Sequence, residues 1–406
     1  MGFLRACLKL CKLDEGLKHF LILCVITTVV LPMICTSLRD SIFYIKPINV
    51  DKEKKLLKII DSKRLNESLR ILNLSNSKNI YDGRPRHSLF KNQNIDIGVT
   101  IITVSRNRHQ FDLYEPKYLT QVAGKIVSLL KDPALNKTYA VFLCNVDPDP
   151  NSYTEISPLS RILPTFQRFN AKIPQHVHIL EKEKQDYLFC LNETMNRKAN
   201  YTFLIEDDAY PDDRLFSVLE HVIDNRIENK FSECKSKVRD VTYVKFYHPT
   251  RLLGYYSLEV ERILELISIS VLFGTIMCQS YAYLYIKSKY SMNKMWFLFT
   301  VYSCLVAIAI GRQNIMEFRR VSSSLFQVTP APSCCTPALL FTQHGGQKVM
   351  EYMQNVRCRY NYAKDMVLED VKRKHGLVGL LVQPNLFKHI GLYSSLRSKV
   401  LDPFIV

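Results

Sequence analysis

Glu206, Asp207 and Asp208 stand side by side at the end of an apolar run in FLIEDDAYPDD, residues 203–213, and Asp212 and Asp213 follow a few positions on. Adjacent carboxylates repel, so the cluster is either a solvated turn or the seat of a cation. Asp207 and Asp208 offer hard oxygen donors, which select magnesium, calcium or manganese over zinc. A divalent cation would relieve the repulsion and bridge to a diphosphate, neutralising charge as a leaving group departs. Nucleotide-sugar transfer needs that arrangement. His389, set among small and polar residues in VQPNLFKHIGLYSSL, is a candidate third metal ligand or diphosphate contact, or else a satisfied structural histidine. Arg106 and Arg108 in VSRNR are candidate partners of phosphate or ribose-side groups, or else residues of a solvated turn. Asp365 in YAKDMVLEDV is a candidate general base for an acceptor hydroxyl, or a helix-start carboxylate with Glu369 one turn later on the same face. Asp212 and Asp213, placed after Pro211 and before RLFSVLEHVI, suit capping of the next helix.

These groups need a frame, and the flanking pattern predicts one. IDIGVTIITVSRNR, residues 95–108, reads as a buried strand followed by a polar turn, and YLTQVAGKIVSLLK, 118–131, as a helix. Further strands are predicted at YAVFLCNVD (139–147), HVHILE (176–181), NYTFLIEDDAYP (200–211), VTYVKFYHP (241–249), PALLFTQH (337–344) and GLVGLLVQP (376–384), with a helix over QDYLFCLNETMNRK (185–198). Alternating strands and helices define an α/β domain with a largely parallel sheet, in which ligands sit beyond the carboxyl ends of the strands. The polar residues concentrate there, at 105–108, 145–149 and 206–208.

Around this domain lie three long uncharged runs, Phe20–Leu38, Leu266–Ile286 and Met295–Gly311. A helix of about 20 apolar residues crosses the hydrocarbon layer, so each qualifies as a transmembrane helix. The expected organisation is a cytosolic tail over 1–19, a first span over 20–38 and a polar stem over 39–93, read as a spacer. A lumenal domain over 94–262 follows, then spans over 263–286 and 295–311 flanking a cytosolic loop at 287–294, and a second lumenal segment over 312–406. Charges flanking the first span are nearly balanced. The orientation therefore rests on the sequons at Asn66, Asn73, Asn136, Asn192 and Asn200, all between the first two spans, and on the lysines of the KSKYSMNK loop. Arg312, Arg319 and Arg320 fall on the lumenal side, against the charge rule. Cys144, Cys190, Cys234, Cys334, Cys335 and Cys358 form an even lumenal set. Cys144 with Cys190 would tether neighbouring strand-end loops. The adjacent Cys334 and Cys335 either close a small ring or serve two separate bonds or free thiols. The net charge of +17 suits a protein that handles phosphates near a membrane, and a lumenal location disfavours nucleic acid.

VSRNR, DLYEPKYL, FLIEDDAYPDD, CCTPALLFTQHGG and QPNLFKHIGLYSSL, interrupted by a membrane hairpin, closely resemble the Golgi post-GPI-attachment N-acetylgalactosamine transferase family. QPNLFKHIG is also similar to the type-four N-acetylglucosaminyltransferases. The resemblance implies a glycosyltransferase A (Rossmann-like) domain that transfers GalNAc from UDP-GalNAc, with inversion, to the first mannose of the anchor on GPI-anchored proteins. It implies a multi-pass Golgi membrane protein among membrane lipid, with a cytosolic N-terminus. It places a DXD-like motif on Glu206, Asp207 and Asp208, opening with Glu where the strict pattern has Asp. It puts the nucleotide-binding strand end on Val104, Ser105 and Arg106, and the meeting of donor sugar and acceptor at Thr336, Pro337 and Asp365. A transferase of another sugar onto N-glycans is the rival enzyme, and a lumenal membrane scaffold without catalysis is the rival of another class.

Overall fold

The computed structural model describes residues 15–77, 94–106, 115–169, 177–228, 241–256, 259–285, 292–394 and 399–403, and the chain divides into two compact units. Arg108 and Cys234 lie outside the described residues.

The first unit comprises Met1–Pro47 and Pro249–Phe318. Its helices α1 (Glu15–Cys35), and a pair described below over Val260–Leu284 and Met292–Ile310, are each long and apolar enough to cross a membrane. Each begins a few residues ahead of its uncharged run, because backbone hydrogen bonding continues through the polar flank. Ile22, Val25, Ile26 and Val29 of α1 are exposed, as the lipid-facing side of a span would be. Residues 36–47 also belong here, with Ser41 Oγ donating to Ala309 O at 2.6 Å. Arg312, one of the three cations set against the charge rule, is buried and bonds Glu265 Oε2 at 2.8 Å. Its charge is thereby compensated within the unit.

The second unit, Ile48–His248 with Arg319–Val406, carries the sheet. Its elements are α2 (Val50–Ser77), β1 (Ile97–Thr103), α3 (Tyr118–Leu129), β2 (Tyr139–Asn145), β3 (Thr165–Gln167), α4 (Ile179–Met195), β4 (Tyr201–Glu206), β5 (Ala209–Pro211), α5 (Leu215–Val222) and β6 (Val241–Lys245). After the hairpin of the first unit, α6 (Val260–Leu284) and α7 (Met292–Ile310), the chain returns with β7 (Gln327–Pro330), β8 (Ala338–Thr342), α8 (Gln343–Gln354), α9 (Lys364–His375), β9 (Val378–Gln383) and β10 (Phe387–His389). An eight-stranded sheet runs in the order β3-β2-β1-β4-β8-β6-β9-β7. Strands β3, β2, β1 and β4 are mutually parallel, β6 is parallel to β9, and β8 and β7 run against their neighbours. Residues of β1, β2 and β4 are buried on both faces, which accounts for the unbroken Val, Ile, Leu and Phe runs that mark them in the sequence.

Three expectations change here. The described part of HVHILE, from residue 177 on, is not a strand: His178 Nδ1 accepts from Leu180 N at 3.3 Å and α4 starts at Ile179, while the third parallel strand is Thr165–Gln167. The stem is not a spacer throughout. Helix α2 docks on α3, with Arg64 Nε on Gln121 Oε1 at 2.9 Å, Ser68 Oγ on Gln121 O at 3.1 Å, and Leu57 and Leu72 buried. A Cβ on Gly124 would stand 2.4 Å from Ser68 Cβ, so glycine is what lets the two helices approach. Asp212 and Asp213 do not cap α5, whose N-cap residue is Arg214 without a side-chain bond. Asp212 pairs with Arg320 at 3.0 Å, and Asp213 pairs with Lys125. Asp212 Oδ1 also accepts from Arg214 N at 3.0 Å, holding the turn into α5, so it serves both the helix start and an ion pair, and Asp213 an ion pair alone.

Cys144 on β2 is bonded to Cys190 on α4, a strand-to-helix link within a buried apolar cluster rather than a link between loops. Cys334 and Cys335 are bonded to each other, both at positive φ, 80° and 67°. Cys358 is a free, buried thiol among the described residues. All five sequon asparagines, Asn66, Asn73, Asn136, Asn192 and Asn200, are exposed, as attached glycans require.

Candidate active site

The carboxyl ends of β1, β2 and β4 open onto one cleft of about 420 Å³. β1 delivers Val104, Ser105 and Arg106, β2 delivers Asp147, β4 delivers Glu206, Asp207 and Asp208, and all seven line it together with His389, Lys364 and Tyr187. The register that pairs Ile102 with Glu206 and Thr103 with Asn145 sets the three loops level. The acidic cluster is thus part of a cleft and not a solvated turn. Asp207 and Asp208 are 4% and 7% exposed.

Arg106 answers the repulsion between these two aspartates. Its guanidinium bonds Asp207 Oδ1, lies 3.1 Å from Asp208 Oδ2, donates to Tyr393 O and sits 5.0 Å above the Tyr118 ring. The expected phosphate partner is therefore engaged with carboxylates. Asp207 Oδ2 accepts from Thr103 Oγ1 at 2.7 Å, and Thr103 in turn meets Tyr153 Oη at 2.6 Å. Both oxygens of Asp207 are committed to the protein. Burial pushes the Asp207 carboxyl up; burial also acts on Asp208, but His389 and Arg106 outweigh it and hold Asp208 low. Of the two, Asp208 is the carboxylate held below its ordinary range.

The C-terminal segment closes this side. β10 pairs antiparallel with β5, His389 opposite Ala209, and Ile390 N donates to Asp208 O at 2.8 Å. His389 Nε2 consequently stands 3.4 Å from Asp208 Oδ2. A Cβ on Gly391 would fall 2.2 Å from Asp208 Oδ2, so only glycine allows the chain to pass there. Asp208 Oδ1 is buried and has no partner among the described residues. Among those residues no three His, Cys, Asp or Glu side chains gather into a ready-made metal site. An ion bound through one or two protein groups, its shell completed by substrate phosphate and water, needs no such trio. Asp208 and His389 fit that role. Asp207, with both oxygens taken, does not.

Glu206 turns the other way. Its Oε1 is 2.9 Å from Lys364 Nζ and 3.5 Å from Thr336 Oγ1, while its backbone N donates to Pro337 O at 2.8 Å. Thr336 and Pro337 therefore sit beside Glu206, though neither lines the cleft. Asp365 does not line the cleft, although its neighbour Lys364 does; its carboxylate accepts from Cys335 N at 3.4 Å. Lys364 and Lys245 were missed from sequence, where a lysine at a helix start or strand end carries no distinguishing signal.

Lys245 is fully buried and donates to Pro332 O at 3.0 Å and Cys334 O at 2.8 Å, fixing the turn that presents Thr336. Burial and the nearby Lys372 pull its pKa down to about 8, from an ordinary 10.5. Between those values the unfolded chain holds a proton that the folded chain has lost, so stability rises with pH. Relative to Lys245→Met, the wild-type protein should gain stability as pH climbs from about 8 toward about 10. The readout is the difference between the two unfolding midpoints, and a flat difference would rule this titration out.

Loops at the carboxyl ends of parallel strands, converging with carboxylates, an arginine and a histidine on one open cleft, define an α/β domain built to hold a polar ligand at its sheet edge. On the same chain, three helices can cross a membrane. A family model described as GPI-N-acetylgalactosamine transferase PGAP4 matches residues 97–388, and the chain belongs to that family. It is a glycosyltransferase family, whose description implies a sugar donor and a GPI-anchored protein acceptor.

Proposed function

We propose that the cleft is the donor site of an inverting, glycosyltransferase A-type enzyme that moves GalNAc from UDP-GalNAc to the first mannose of the GPI anchor on proteins. The observation that carries this reading is Asp208, buried and with one oxygen that has no partner among the described residues, beside His389 at the carboxyl ends of β1 and β4. The acceptor oxygen attacks the anomeric carbon from the face opposite the nucleotide, the bond to the β-phosphate oxygen breaks with its electrons, and UDP leaves. A divalent cation held by Asp208 and His389, manganese being the expected ion, would supply charge neutralisation at the departing diphosphate. Val104 and Ser105 serve the nucleotide end, with Asp147 Oδ2 accepting from Ser105 N at 2.8 Å to hold that turn. Asp365, at the first turn of α9, is the candidate base that takes the acceptor proton.

The membrane helices suit a Golgi enzyme with a cytosolic N-terminus and a lumenal catalytic unit, on whose side the five exposed asparagines would meet the glycosylation machinery. A lipid-anchored acceptor and an enzyme held in the same membrane search a surface instead of a volume, which raises effective concentration. The test incubates the purified full-length protein with UDP-GalNAc, UDP-GlcNAc and UDP-galactose, beside GPI-anchored and N-glycosylated acceptors. GalNAc on the GPI mannose is the expected product. GlcNAc on N-glycans would replace this reading with its enzymatic rival, and neither transfer nor donor hydrolysis with any donor would leave the scaffold.

A further inference from the structure

The wall of the cleft formed by α4 and the start of α9 carries groups without an assigned role. Lys364 Nζ lies 2.9 Å from Glu183 Oε1 and 2.9 Å from Glu206 Oε1, and Lys364 is 8% exposed. One ammonium therefore holds one oxygen of each carboxylate. The second oxygens, Glu183 Oε2 and Glu206 Oε2, meet no partner among the described residues, and both side chains stay partly open in the cleft lining. Tyr187, one turn after Glu183 on α4, lines the same wall, and its buried hydroxyl also meets no partner among the described residues. Of the buried tyrosine and threonine hydroxyls in that condition, Thr202 and Tyr243 lie outside the cleft lining.

The chemistry of this wall narrows what it can receive. Two carboxylate oxygens are acceptors only, so they favour O–H donors and repel phosphate. The ammonium between them is already neutralised twice over, and Lys182, the other lysine of this lining, is paired with Asp186 at 2.6 Å. A ligand rich in hydroxyls fits, and the diphosphate belongs with Asp208 and His389 further along the strand ends. We propose that Glu183 is a specificity-determining residue which accepts hydrogen bonds from hydroxyls of the transferred sugar, with Lys364 as the positioning residue that fixes its carboxylate. This rests on the nucleotide-sugar reading of the cleft.

The full-length protein and its Glu183→Gln variant are titrated calorimetrically with UDP and with UDP-GalNAc. Loss of a charge-assisted hydrogen bond to the sugar alone should weaken UDP-GalNAc by about tenfold and leave UDP within about twofold. Lys364→Met should show the same selective loss, and Lys364→Arg, which keeps the cation, should restore part of it. Equal weakening toward both ligands, or none toward either, overturns the proposal. If the wild-type protein binds both ligands and Glu183→Gln binds UDP-GalNAc with unchanged affinity, this inference alone is overturned; a wild-type protein that binds neither ligand takes the nucleotide-sugar reading down with it. If Glu183→Gln does not fold, Glu183→Asp is titrated in its place, since it keeps the charge but withdraws the carboxylate by one methylene.

Discussion

Asp208→Asn should reduce sugar transfer on the order of a hundredfold or more while leaving the fold in place. The argument starts from geometry. Asparagine matches the shape of aspartate, and its carbonyl oxygen can still face Arg106, so the packing around β5 and β10 is retained. What disappears is the charge that His389 and Arg106 keep on the carboxylate, together with the oxygen Oδ1 that has no partner among the described residues. Neutralising a departing diphosphate is worth several kcal/mol of barrier, and each 1.36 kcal/mol is a factor of ten in rate, which gives the size of the effect. Asp207→Asn is the informative companion. Its oxygens face Thr103 and Arg106, so it should lose stability before it loses turnover per folded molecule. Measuring transfer by both variants, normalised to folded protein, separates the two aspartates. An Asp208→Asn protein that kept a third of wild-type turnover would show that this carboxylate is structural.

Much of this site could be read in the chain before its structure, and the reasons differ from residue to residue. Strand β4 and its acidic end were visible because an uninterrupted apolar run ending in carboxylates has few alternatives in an α/β sheet. The position of Thr336 and Pro337 came from resemblance, and the sheet accounts for it: β8 pairs with β4, so the residues just before Ala338 must lie beside Glu206. HVHILE misled because an apolar–polar alternation over a few residues fits a strand as well as it fits a helix start, and His178 supplies a cap that its residue type does not advertise. The stem helix carried a helical period but gave no sign of its docking, which depends on Gly124 and Gln121 on another helix. Ion pairs were the least legible feature. Arg106 meets residues a hundred positions away, and Lys364 joins two glutamates from separate elements. No local pattern encodes a pairing that the fold alone brings about.

That pairing makes Arg106 the residue whose loss should damage the fold most. Arg106→Met retains most of the side-chain length and removes the guanidinium, with its bonds to the two aspartates and its place over the Tyr118 ring. Asp207 and Asp208 would then face each other while nearly buried, with no guanidinium between them. Breaking a buried ion pair by deleting one partner costs about 3–5 kcal/mol, because the other charge is left uncompensated. The melting temperature should fall by about 5–8 °C. Arg106→Lys should not rescue it, since one ammonium on a flexible stem cannot reproduce a planar fork that reaches two carboxylates and the Tyr393 carbonyl at once. Removing a charge from the other side should. The double variant Arg106→Met with Asp207→Asn relieves the repulsion, so its melting temperature should recover well above the sum of the single losses. Strict additivity in that cycle would mean that Arg106 and Asp207 contribute separately and that the cluster is held by something other than their pairing.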